Sequence, residues 1–254
     1  MSAINVDMMF VIDISGSMAP CLDSLRKHLD QLTQPLQGYV SKIRFGFVAM
    51  SVTPVNNQSI YSLNLLSCSG ETAFDKLYQK NSNYRINNND FFTDDPKQFT
   101  KALASLVPQG DEDMLVSLDI AAVMPFGPLS NTKRVIALFS DEPFEGGVDG
   151  NSNNYLIPKL IEKLQQRHIQ LFVAVPDSDA VQQLSTADRS EIELVDSGKG
   201  LAGVNFALLM SQMGKSISGS SMQILVEPPY TRALYGQDKW VSTNTKIDAA
   251  YQDK

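Results

Sequence analysis

The run Met8-Met9-Phe10-Val11-Ile12 restricts the possible folds of this chain more than any other segment. It is continuous, apolar and of strand length. A strand that is apolar on both faces must be covered on both faces, which places it inside a mostly parallel sheet. The run stops at Asp13-Ile14-Ser15-Gly16-Ser17. Residues 18–36 follow, with Leu22, Leu25, Leu29 and Leu32 spaced as the stripe of an amphipathic helix. The chain therefore opens as strand, tight polar turn, helix.

The same alternation continues. Strands are predicted at residues 43–50, 134–139 and 170–175, with a weaker edge strand at 61–66 and a short strand at 192–195. Helices are predicted at 97–106, with Pro96 in a first-turn position, and at 114–123, 155–167, 181–186 and 203–217. The helix at 155–167 carries Leu156, Leu160, Ile161 and Leu164 on one side. Strands alternating with helices predict an α/β fold: a doubly wound, mostly parallel central sheet with helices on both faces. The polar stretches 81–90 and 145–154, rich in Asn and Gly, read as loops. After residue 217 the helical period is lost. Residues 1–217 are thus expected to form the domain. Residues 218–254, with Pro228-Pro229 and the single Trp240, are expected to form an irregular extension, either a strap or a docking tail.

Composition removes several function classes. The 254 residues suffice to bury about 70% of the unfolded surface, so no covalent or metal staple is needed. Lys plus Arg number 21 and Asp plus Glu 28, a net charge of −7. Such a chain repels phosphate backbones and anionic lipid, so neither nucleic acid nor a membrane is an expected partner. Cys21 and Cys68 form no CxxC or Cys/His cluster, which argues against structural zinc and suits a reducing compartment. No apolar run reaches about 18 residues and the N-terminus lacks a basic region, so a cytoplasmic location is expected. There is no P-loop and no G-x-G-x-x-G. His28 and His168 fall in or at the end of helices and read as structural.

The chemistry lies in Asp13, Ser15 and Ser17. They alternate directly after a buried strand, which puts one carboxylate and two hydroxyls around a turn at the edge where open α/β sheets bind ligands. Oxygen-only donors suit hard cations, Mg²⁺ first, with Mn²⁺ or Ca²⁺ possible. One carboxylate is a poor cage. Asp141, after the strand at 134–139, and the segment Gly110-Asp111-Glu112-Asp113 supply further acids at comparable positions.

The segment FVIDISGSM, residues 10–18, resembles the von Willebrand factor type A domain with its metal-ion-dependent adhesion site, in the form found in microbial cytoplasmic relatives. The resemblance spans about residues 5–217 and implies a Rossmann-like fold. Asp13, Ser15 and Ser17 match the first part of the family motif and Asp141 the last. Where many relatives carry Gly-Gly-Thr, this chain has an acidic segment like that of integrin β subunits. The resemblance assigns the middle ligand to Glu112, with Asp111 as the alternative and Asp113 as a helix-start acid. It implies a cation held by Asp13, Ser15, Ser17, Glu112 and Asp141, with one position open to an Asp or Glu of a protein partner. It also implies service in a multi-protein complex, without catalysis. A competing enzyme reading is a Mg²⁺-dependent haloacid-dehalogenase-like phosphohydrolase with Asp13 as nucleophile. Such enzymes place a general acid two residues on, where this chain has Ser15.

Overall fold

The computed structural model describes residues 4–55, 58–78, 91–144, 157–199 and 201–221. Among these residues seven strands form one sheet: β1 (Ile4–Asp13), β2 (Val40–Val55), β3 (Gln58–Leu65), β4 (Cys68–Ser69), β5 (Thr132–Phe139), β6 (Ile169–Val175) and β7 (Ser190–Leu194). Their order is β4-β3-β2-β1-β5-β6-β7. Neighbours from β2 through β7 run parallel, whereas β3 and β4 add an antiparallel margin. The chain builds outward from β1 in both directions, so the order reverses between β1 and β5.

Among the described residues seven α-helices cover the sheet: α1 (Ala19–Thr33), α2 (Glu71–Tyr78), α3 (Pro96–Ala104), α4 (Met114–Ala122), α5 (Ile157–Gln166), α6 (Asp179–Leu184) and α7 (Phe206–Ser221). The predicted α/β class and mostly parallel sheet are therefore observed. Strand β1 shows why both faces had to be apolar. Met8, Phe10 and Ile12 point into a core with α1, α3 and α7, while Met9 and Val11 point into a second core with α4 and α5. On the first face Phe10 packs against Phe99 at 5.3 Å and Phe139 at 6.2 Å between ring centroids. Phe139 in turn meets Phe206 at 5.8 Å. These rings form the floor beneath the carboxyl ends of β1 and β5.

Several boundaries differ from those predicted. Strand β2 starts before residue 43 and continues past residue 50, because its far end is paired with β3 rather than with β1. The strand at 61–66 is not the outermost one, since β4 pairs outside it. Helix α2 was not predicted, its short apolar period being weak beside the tertiary contacts that hold Ala73 and Leu77 in the core. Helix α7 runs through Ser221, so the serines at 218, 220 and 221 continue it rather than begin a linker. The rest of the extension, and the loops expected at 81–90 and 145–154, lie outside the described residues. His168 closes α5 in a left-handed conformation, φ 51°, its amide donating to the Gln165 carbonyl.

The opposite, amino end of β1 is fixed by charge. Asp7 is fully buried. Arg44 on the neighbouring strand donates to it through Nε at 2.7 Å and a terminal nitrogen at 2.5 Å, and the Gly127 amide donates at 2.6 Å. Removing one member of such a set strands the others. Asp7→Ala should lower unfolding free energy by about 3 kcal/mol, read by urea denaturation.

Lys133, at the start of β5, is 6% exposed. Burial, followed by the nearby Arg189, pushes its amine down to about 8, with Glu191 acting in the opposite sense. The folded state thus disfavours the ammonium, and that penalty is full below pH 8 and fades as pH rises toward about 10. Lys133→Met should raise the thermal midpoint at pH 7, and the gain should shrink steadily between pH 8 and about 10.

Candidate metal centre at the sheet switch point

A doubly wound sheet leaves a crevice where its strand order reverses, outside the carboxyl ends of the strands. Here the order reverses between β1 and β5. Asp13 is the last residue of β1, and Asp141 follows β5 by two residues. Both are fully buried, and so is Ser140 between β5 and Asp141. Ser17, by contrast, is exposed, and Ser15 is 8% exposed. The arrangement is a buried acidic floor with a hydroxyl at its mouth.

The turn after β1 is organised by Asp13. Its Oδ1 accepts the Ser15 amide at 2.6 Å, which curls the backbone immediately after the strand. Its Oδ2 accepts the Ser140 hydroxyl at 2.8 Å, which ties β1 to β5. Ser140 also accepts the Glu142 amide at 3.0 Å, so one hydroxyl fixes both Asp13 and the bend after β5. Above this the Ser15 and Ser17 hydroxyls stand 3.1 Å apart, and the Ser17 hydroxyl donates to Asp141 Oδ1 at 2.9 Å. Ser17 makes no side-chain cap to α1, so its hydroxyl is turned to the site and not to the helix.

The acidic segment before α4 arrives from the side. The Gln109 amide donates to the Ile14 carbonyl at 2.6 Å. Asp113 caps α4, its Oδ1 accepting the Val116 amide at 3.1 Å and its Oδ2 the Tyr61 hydroxyl at 3.3 Å. Its expected helix-start role is therefore observed. Asp111 is exposed and Glu112 half-buried.

Four of the five residues singled out in the sequence, Asp13, Ser15, Ser17 and Asp141, join in one hydrogen-bonded group with Ser140. Glu112 stands apart from those bonds but within electrostatic reach of Asp13 and Glu142. Ser140 is a site residue that the sequence does not single out, whereas Glu142 enters there only beside Asp141, as a metal holder in the phosphohydrolase alternative. The adjacency of Ser140 to Asp141 was the available signal, since a hydroxyl beside a strand-end acid can reach the next strand.

The charges are poorly balanced. Burial pushes the Asp13 carboxyl up, with the charge of Asp141 adding to it, while the Ser15 amide and Ser140 hydroxyl hold it down. Burial, then Asp13, Glu142 and Asp111, push the Glu112 carboxyl up to about 8. Cys21, fully buried in α1, has its thiol pushed well up by burial and then by Asp13 and Asp141, so it offers no thiolate. Among the described residues no three His, Cys, Asp or Glu side chains gather closely enough to hold a metal by themselves. A cation at this edge would therefore require the serine hydroxyls among its donors. No protein-family model and no curated protein matches the chain.

A raised carboxyl in the folded state means stability is lost as pH climbs from the unfolded value toward the folded one. In chelator, wild type and Glu112→Gln should melt alike near pH 4. The variant should become the more stable as pH rises to about 8, read by thermal unfolding across that range.

Proposed function

We propose that the chain is a metal-dependent protein-binding module of the von Willebrand factor A type, whose divalent cation receives a carboxylate from a partner. The observation that carries this reading is the oxygen chain Ser15–Ser17–Asp141, with spacings of 3.1 and 2.9 Å. Adjacent ligands of an octahedral Mg²⁺ at about 2.1 Å lie about 3 Å apart. A cation can therefore be met by these oxygens with little movement, each serine keeping its hydrogen and turning it away from the ion. The donors are all hard, which favours Mg²⁺, with Mn²⁺ or Ca²⁺ as substitutes.

The residues divide the work by what already occupies them. Ser15, Ser17 and Asp141 would hold the ion directly. Asp13 has both oxygens engaged by Ser15 and Ser140, so its part is to shape the turn, add negative charge and act through water. Glu112 completes the acidic wall, and its crowding by three other carboxylates is relieved by a bound cation. When bound, the ion supplies a Lewis-acidic position for one more oxygen ligand. Exposed Ser17 marks the open side from which a partner's Asp or Glu arrives.

The sheet supports the same reading, because its order reverses between the strands that carry Asp13 and Asp141. The engaged state of Asp13 also counts against its use as a phosphohydrolase nucleophile, since both its oxygens are spent on fixing the backbone. Ser15 at the general-acid position argues the same way.

Isothermal titration with Mg²⁺ tests the proposal. Wild type should bind saturably, and ion at one hundred times its dissociation constant should stabilise the fold by about 2.7 kcal/mol. Asp13→Asn keeps the shape of the turn and should lose at least about tenfold in affinity. Wild type that neither binds nor is stabilised by Mg²⁺ or Mn²⁺ would overturn the metal reading.

A further inference from the structure

Strand β1 ends at Asp13, beside Met50 of β2, yet β2 continues to Val55, paired with β3. Residues 51–55 of β2 therefore project past the candidate centre, with no named strand on the β1 side among the described residues. A strand edge left in this state has peptide groups without ladder partners. At Val52 the gap is filled by the acidic segment. The Val52 amide donates to the Asp111 carbonyl at 2.7 Å, and the Asp111 amide donates back to the Val52 carbonyl at 2.9 Å. This is a single antiparallel bridge, isolated from the ladders of the sheet.

The bridge has a consequence for the neighbouring acids. Successive residues of an extended backbone point to opposite sides. Asp111, paired with Val52, is exposed, and Glu112, the next residue, is half-buried, within reach of the charge of Asp13. The segment is also held one step earlier, by the Gln109 amide on Ile14. Between these two fixed points stands Gly110. Its φ is +73°, and a Cβ placed on it would lie 2.7 Å from the Val52 carbonyl oxygen. That oxygen is backbone and already accepts the Asp111 amide, so it cannot yield without opening the bridge. Only glycine meets both the dihedral and the space.

We infer that the projecting β2–β3 hairpin is the positioning device of the centre: its bridge from Val52 to Asp111, permitted by Gly110, sets Glu112 against Asp13. This rests on the proposed metal reading for its functional consequence, though the clamp itself is a statement about the backbone. Gly110 and Val52 are positioning residues. Neither offers a side-chain donor to a cation.

Two measurements on full-length protein test the inference, one of them blind to metal. Amide hydrogen exchange should show Val52 and Asp111 protected in wild type and exchanging much faster in Gly110→Ala, with the core of β1 unchanged. Equal protection of those amides in both proteins would overturn the clamp, whatever the metal does. Calorimetry with Mg²⁺ should show Gly110→Ala weakened by about tenfold or more, and should show little added loss when Gly110→Ala is placed in a Glu112→Gln background. Losses that simply add would overturn the claim that Gly110 acts through Glu112. Absence of Mg²⁺ binding in wild type would sink the functional consequence together with the metal reading, leaving exchange to judge the clamp. Should Gly110→Ala not fold, Asp111→Pro, which deletes one bridge donor, is compared with Asp111→Ala, which loses the same carboxylate but keeps the amide. The proline variant should bind Mg²⁺ more weakly than the alanine variant, and equal affinity would overturn the inference.

Discussion

Strand β1 is the constraint on which the rest of the structure depends. It is covered on both faces, so it must lie inside the sheet, and its last residue is a fully buried carboxylate. A buried carboxylate is tolerable only when hydrogen bonds or opposite charge compensate it. Asp13 is compensated by an amide from its own turn and a hydroxyl from the strand next door. Those two bonds curl the chain toward α1 and pin β1 to the bend after β5. Without them there would be no reason for Ser15, Ser17 and Asp141 to meet.

The two ends of β1 handle buried acid in opposite ways. At the amino end Asp7 has a guanidinium and a backbone amide, so its charge is matched within the protein. At the carboxyl end Asp13 is met by an amide and a hydroxyl, with Asp141, Glu112 and Glu142 close by. The resulting crowding is visible in the raised Asp13 and Glu112 carboxyls. Arrangements of this kind lower the stability of the fold alone and favour whatever positive charge arrives, which is how sites and structural pairs come to differ. The same sheet thus holds a self-contained ion pair at one end and a crowded acidic cluster at the other.

The hairpin made by β2 and β3 adds a second layer of control. It is an extension of the sheet beyond the point where the core needs it. Its peptide groups meet the acidic segment directly, so Glu112 is placed by backbone bonds rather than by its own packing. A site held by backbone is hard to detune by side-chain drift, because substitutions at Val52 or Asp111 other than proline leave the bridging atoms in place.

Much of this was legible in the sequence for local reasons. An apolar run of strand length before Asp13-Ile14-Ser15-Gly16-Ser17 implied a central strand, a turn and a helix, because burial on both faces and the helical stripe that follows are properties of short segments. The α/β class and the acids at strand ends came from the same periodicity. The sequence could not determine the length of β2, the helix at α2, or the continuation of α7 through Ser221, since these rest on pairing and packing with distant segments. Nor could it show that Ser140 supports Asp13, or that Gly110 must be glycine because of the Val52 carbonyl. Those facts depend on atoms brought together across the sheet, and only the tertiary structure decides which neighbour each one has.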